Sequence, residues 1–161
     1  MGRAPYQVLV LPFYLPSKSL ADVEFLIFKR HPRSGAFWQW ISGGGEDSET
    51  PDEAARREGF EEGGIDSALP YFPLDSRSTI PRNIFTGHES WSNHPYVIPE
   101  YCFAVELPEK RVALSAEHQA FEWVDYATAT SLLKWDSNRN ALWELRERLQ
   151  ARLNQSTIHR T

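Results

Sequence analysis

Cysteine is nearly absent: Cys102 is the only one in 161 residues, so no intramolecular disulfide can form. That usage fits a reducing compartment, and the cytoplasm is the expected location. Strongly basic runs are missing too. The formal net charge is −5 and the pI about 5.5, which gives no footprint for a nucleic acid backbone, and no nucleic acid partner is expected. An acidic chain that handles a phosphorylated small molecule needs local cations or metal ions to hold it. Nor is any apolar run long enough for a bilayer. The most apolar stretch, VLVLPFYL, is broken by Pro12 and lacks a small-residue cleavage pattern, so it reads as a buried strand and no membrane partner is expected. Internal repeats and low-complexity linkers are absent. With 41% hydrophobic and 24% charged residues, the chain suits one domain over residues 1–161 with its own core.

The order of elements is mixed. Tyr6 to Leu15 and Glu24 to Arg30 are strand-like, and the turn chemistry of PSKSLAD between them lets the two pair. HPRSGAFWQWISGGG reads as a loop with a short aromatic strand that ends in three glycines. Thr50-Pro51-Asp52-Glu53 opens a helix: Thr50 caps it, Pro51 suits its first turn, and the acids favour its positive end. Gly63-Gly64 stops it. SRSTI, EYCFAVEL and AFEWV read as further strands, and Pro81 to Pro99 as a long loop of the kind that carries function. ATATSLLKW is a short helix. A final helix over RNALWELRERLQARL, capped by Ser137 or Asn138, carries an apolar stripe at Ala141, Leu142, Leu145 and Leu149. These elements predict an α+β fold, helices packed on a mixed sheet as an α/β/α sandwich.

Chemistry concentrates in REGFEEGG, Arg57 to Gly64. Residues three and four apart share a helix face, so Glu58, Glu61 and Glu62 fall on one stripe. Like charges at that spacing destabilise a helix by a few tenths of a kcal/mol per pair. Such a stripe is either a solvated acidic face or a cation site, and carboxylate oxygens suit Mg²⁺ or Mn²⁺. Reading outward, the pattern is Gly43, five residues, Glu49, seven residues, Arg57-Glu58, Gly59, one residue, Glu61-Glu62, one residue, Gly64-Ile65. It resembles the Nudix box, G-x5-E-x7-R-E-U-x-E-E-x-G-U, where U is a bulky apolar residue. Every fixed position matches. The departure is Gly59 at the first U, with Phe60 beside it. Glycine costs about 1 kcal/mol against alanine in a helix. Either a neighbouring side chain fills the space beneath Gly59, or the backbone packs closer there.

The resemblance implies the Nudix fold, a mixed sheet between helices with a loop-helix-loop motif. It also implies Mg²⁺-dependent hydrolysis (Mn²⁺ as a substitute) of a phosphoric anhydride. By position, Glu58 and Glu62 would be the principal metal ligands, Glu61 would share or support them, and Gly43 would offer its carbonyl. Arg57 would orient a carboxylate such as Glu49. The catalytic set is then Arg57, Glu58, Glu61 and Glu117, with the general base open between Glu58 and Glu117. Over most of the chain the sequence also looks like the bacterial dihydroneopterin triphosphate diphosphatase subgroup, through FWQWISGGGE, LDSRSTIPRNIF, ELPEKRVALSAEHQAFEWVDY and KWDSNRNAL. That comparison puts Glu117 at a metal-binding position outside the box. It puts substrate contacts at Arg3, Lys29, Ser42, Arg82, Asn83, Ile84, Phe85 and Ser137 or a neighbour; on physical grounds either Lys29 or Arg30, at a strand end, suits a phosphate.

A nucleoside or pterin triphosphate is therefore the expected small-molecule partner, and a homodimer is compatible with the family. Trp38, Trp40, Trp123 and Trp143 read as core, whereas Trp91, in the long loop, reads as the stacking candidate. His88, His94 and His118 read as satisfied surface histidines, with a proton-donor or metal role as the alternative. Two rival readings stay open: a dinucleoside polyphosphate or capped-RNA hydrolase of the same fold, and a non-catalytic nucleotide sensor.

Overall fold

The computed structural model describes residues 2–158. Strand β1 (Arg3–Tyr14) is central. It runs parallel to β6 (Val97–Glu106) along one edge; along the other it runs antiparallel first to β4 (Ile41–Glu46) and then, at Phe13 and Tyr14, to β2 (Glu24–Arg30). β5 (Tyr71–Pro81) pairs with β6, while β3 (Trp38–Gln39) and β7 (His118–Val124) pair with β2. The result is a mixed seven-stranded sheet, with helices on both faces as expected.

The apolar run in β1 is continuous because both faces are covered. Val8 and Val10 pack with Ala54 and Ala55 of α1 (Pro51–Gly63) on one face. On the other, Leu9, Leu11 and Phe13 pack against Ala129 of α2 (Tyr126–Leu132) and the stripe of α3 (Asp136–Ile158). That stripe is Ala141, Leu142, Leu145 and Leu149, as the periodicity predicts. None of the described helices is long and apolar enough to cross a membrane.

Three expectations change. The glycines 43–45 lie inside β4, not after it. The long loop is shorter and more ordered: β5 runs to Pro81, β6 starts at Val97, and two short 3-10 turns lie between them. Asn138 does not cap α3 but sits buried in its first turn. Its Oδ1 accepts from the Trp40 backbone N–H, and its carbonyl accepts from Trp40 Nε1, each at 3.0 Å. That clamp docks α3 on the β3–β4 junction.

Candidate active site

Helix α1 is built as its sequence predicts. Thr50 Oγ1 accepts from the Glu53 N–H at 3.2 Å, and Gly64 closes the helix in the left-handed region at φ +67°. Arg57 then ties the helix to the strand before it. Its guanidinium grips Glu49 with two hydrogen bonds, at 2.8 and 3.0 Å, and donates to the Gly44 carbonyl at 2.8 Å. Its Nη1 reaches Glu58 at 2.9 Å and Glu61 at 3.1 Å, offsetting the repulsion along the acidic stripe. The Arg57–Glu49 pairing is the one the motif implies.

The three glycines of β4 leave room for functional side chains. A Cβ on Gly43 would lie 2.1 Å from the Glu58 carboxyl carbon, and one on Gly44 would lie 2.5 Å from the Arg3 guanidinium carbon. On Gly45 it would strike the Tyr6 ring. Strand pleating puts the first two on opposite faces, so Glu58 crosses one side of β4 and Arg3 the other.

Gly59 has a similar cause. A Cβ there would meet the Tyr71 hydroxyl at 2.2 Å. Tyr71, from β5, thus fills the slot where the motif expects an apolar side chain, while Phe60 projects into solvent at 61% exposure. The helix accepts a glycine because another element supplies the bulk.

Glu58 and Glu62 are both buried, and Glu62 Oε2 has no hydrogen-bond partner among the described atoms. Burial, only partly countered by Arg57, raises Glu58 to about 7. Burial and the neighbouring carboxyls of Glu117 and Glu58 raise Glu62 to about 10. Two buried acids resisting ionisation beside an orphaned oxygen fit a divalent ion, whose charge would reverse both effects. Among the described residues no three acidic, imidazole or thiol groups already stand close enough to hold an ion. Glu117 and Glu61 are largely exposed, near Arg30 (3.9 Å) and Arg57 (3.1 Å), and the Glu117 carboxyl neighbours Glu62, so these two acids stand at the edge of a site with Glu58 and Glu62.

A cavity of about 880 Å³ gathers most of the expected residues: Arg3, Ser42, Gly43, Arg57, Glu58, Glu61, Glu62, Ile84, Phe85 and Glu117. Four stand elsewhere. Lys29 alternates to the other face of β2, beside Trp38, and Arg30 is the residue on the cavity wall. Arg82 bonds the His94 and Pro95 carbonyls and stacks on Tyr96, so it shapes the loop, and exposed Asn83 lies beside it. Ser137 lies behind the wall, hydrogen-bonded to Glu100.

Trp91 is not a stacking platform. It is 4% exposed, packs on Phe85 and Ile98, and donates from Nε1 to the Arg3 carbonyl, pinning the loop to β1. Phe85 is the aromatic that faces the cavity, with the Arg3 guanidinium 4.4 Å above its ring. Trp143 is 56% exposed, not core. His118 is buried, not a surface histidine; it stacks near Phe28, with Nε2 3.9 Å from Glu62, and burial holds it down at about 4. His88 and His94 stay off the cavity wall, whereas His31, Arg33 and Gln7 stand on it without having been singled out in the sequence. Gln7 had one sequence signal, a lone amide entering an apolar strand.

Comparison with known proteins agrees with this geometry. The NUDIX domain model matches residues 13–144. An octanoyltransferase from Myxococcus xanthus is 37% identical over 122 residues, which is 75% of this chain but only 32% of that protein's length. Dihydroneopterin triphosphate diphosphatase from Escherichia coli K12 is 37% identical over 143 residues, 87% of this chain and 91% of that one. Among solved structures, a Nudix-family protein from Listeria monocytogenes superposes with a TM-score of 0.78 at 43% identity, covering 92% of this chain and 96% of that one. With every fixed position of the box present, its acids lining the cavity and the family model spanning most of the sequence, the chain belongs to the Nudix family of hydrolases.

Proposed function

We propose that the protein hydrolyses a nucleoside or pterin triphosphate to the monophosphate and pyrophosphate, with Mg²⁺ or Mn²⁺ as cofactor. The observation that carries this reading is the pair of buried carboxylates, Glu58 and Glu62, in a cavity that Arg3, Ser42 and Phe85 also line. The carboxylates suit cations, and the other three suit a flat, hydrogen-bonding group. The similarity to the E. coli diphosphatase supports the substrate class.

Glu58, Glu62 and Glu117, with the Gly43 carbonyl and support from Glu61, would hold the cation. A divalent ion there supplies charge neutralisation for the polyphosphate and acidifies a bound water. The chain's own residues do the rest. Arg57 keeps Glu58 and Glu61 aimed at the cavity while Glu49 fixes Arg57. Arg30, which lines the same cavity, offers a cation to phosphate oxygens. Glu58 or Glu117 accepts the proton of the attacking water.

The test is product analysis with Mg²⁺ and dATP, dGTP, dihydroneopterin triphosphate or diadenosine tetraphosphate. Monophosphate plus pyrophosphate from a triphosphate is the expected result. Cleavage of only the tetraphosphate, or binding without turnover, would refute it. Glu62→Gln, which removes charge but little volume, should lower turnover by about 100-fold or more with the fold intact. Near-normal turnover in that variant would end the metal assignment.

A further inference from the structure

One row of polar residues in the sheet is used by neither the acidic wall nor the phosphates. Ser78 on β5, Glu100 on β6, Gln7 on β1 and Gly44 on β4 are direct neighbours in register. The same face carries Leu9, Cys102 and Ala104, which are core. Glu100 is 4% exposed; it accepts from Gln7 Nε2 at 2.7 Å and Ser78 Oγ at 3.0 Å, and Ser137 of α3 adds a third bond. Gln7 Oε1 accepts from Arg3 Nη2 at 3.1 Å. Gln7 reaches the cavity wall, beside Arg3, Ser42 and Phe85.

The chemistry of the partners sets the direction of the amide. A guanidinium only donates, so the Gln7 atom facing Arg3 must be oxygen. Its nitrogen then faces Glu100, which accepts. Flipping the amide would put N–H against N–H⁺ at one end and oxygen against a carboxylate at the other. Each amide atom keeps one free position: Oε1 a lone pair, Nε2 a hydrogen. Ser42 is directed likewise, because its Oγ accepts from Gln39 Nε2 at 3.1 Å and its own proton is left to point elsewhere.

We infer that Gln7, held in one orientation by Arg3 and Glu100, reads the edge of a planar heterocycle that carries an N–H donor beside an acceptor. Purines and pterins present such an edge; a sugar or a bare polyphosphate does not. The Arg3 guanidinium, backed by the Phe85 ring on which it stacks, is the flat surface against which the ring lies. Gln7 and Ser42 touch it, while Glu100 acts through Gln7 and is a positioning residue. This rests on the proposed hydrolase only for where the phosphates go, since ring binding can be measured without turnover.

The experiment is calorimetric binding of guanosine, adenosine and neopterin to the intact protein, alongside KM and kcat for the matching triphosphates. The wild type should bind at least one ring. Gln7→Met should weaken that binding about 10-fold or more, the loss of a hydrogen-bonding pair in a partly buried site. Glu100→Leu should do the same, whereas Glu100→Gln, which can still accept from Gln7, should stay within about 3-fold of wild type. In both weakened variants the KM of the triphosphate should rise by the same factor, with kcat within about 3-fold, as for uniform binding. Undiminished ring binding by Gln7→Met would overturn the inference, as would failure of the wild type to bind any of the three rings. Gln7-dependent ring binding with no hydrolysis would uphold it and sink the hydrolase reading instead.

Discussion

Replacing Gly59 by alanine tests whether Tyr71 is the reason a glycine stands in the catalytic helix. In a helix interior the change alone is worth about 1 kcal/mol of added stability. Here the new Cβ would lie 2.2 Å from Tyr71 Oη, with Cζ at 3.3 Å and Cε2 at 3.6 Å. The ring is 7% exposed and has Arg56 over it at 5.0 Å, so it has little room to move. Overpacking of this kind costs about 1–3 kcal/mol, which leaves Gly59→Ala neutral to about 2 kcal/mol destabilising. Tyr71→Phe removes the one offending atom, a buried hydroxyl without a hydrogen-bond partner, and should be neutral or stabilising by about 1 kcal/mol. In the double variant the methyl occupies the vacated space and the helix keeps its propensity gain. The two changes should therefore couple favourably by about 1–3 kcal/mol. Equilibrium urea unfolding of the four proteins measures this directly. Additivity within about 0.5 kcal/mol would refute the packing explanation. Tyr71→Phe destabilised by more than about 2 kcal/mol would show instead that the hydroxyl has a partner worth keeping.

Two further outcomes follow from buried polar groups. Glu58 and Glu62 are raised to about 7 and about 10, so the stability each contributes is complete below the ordinary carboxylate value and is lost as pH rises through the folded one. In EDTA the thermal midpoint should thus fall from about pH 6.5 to 9, a window above the range in which the depressed His118 matters. About 5 mM Mg²⁺ should flatten that slope by binding the charged carboxylates, and identical slopes with and without the ion would contradict the site. Asn138→Ala strips the acceptor from a buried Trp40 N–H and should destabilise by about 1–3 kcal/mol in urea unfolding. A change under about 0.5 kcal/mol would mean that the Asn138 side chain adds little to the docking of α3.

Local rules were sufficient wherever the cause was local. Helix α1, its Thr50 cap and its Gly64 stop follow from spacing and backbone preference, as does the stripe of α3. The shared face of Glu58, Glu61 and Glu62 is likewise a property of helical period, whereas the meeting of Arg57 with Glu49 was implied by the family resemblance. The cavity is a different matter, because several of its members are positioned by something far away in the chain. Trp91 could not be told from a stacking platform until the loop folded onto β1, 88 residues distant, and left Phe85 facing the cavity. Strand parity, shifted by an irregularity between Lys29 and Arg30, decided which of the two reached the wall. Gln7 gained its partner Glu100 only because β1 and β6 run parallel in a register that sets them side by side. Gly59 shows the division within one residue. The sequence marked it as anomalous through helix propensity, but its reason, the Tyr71 hydroxyl, comes from a strand that only packing brings beneath the helix.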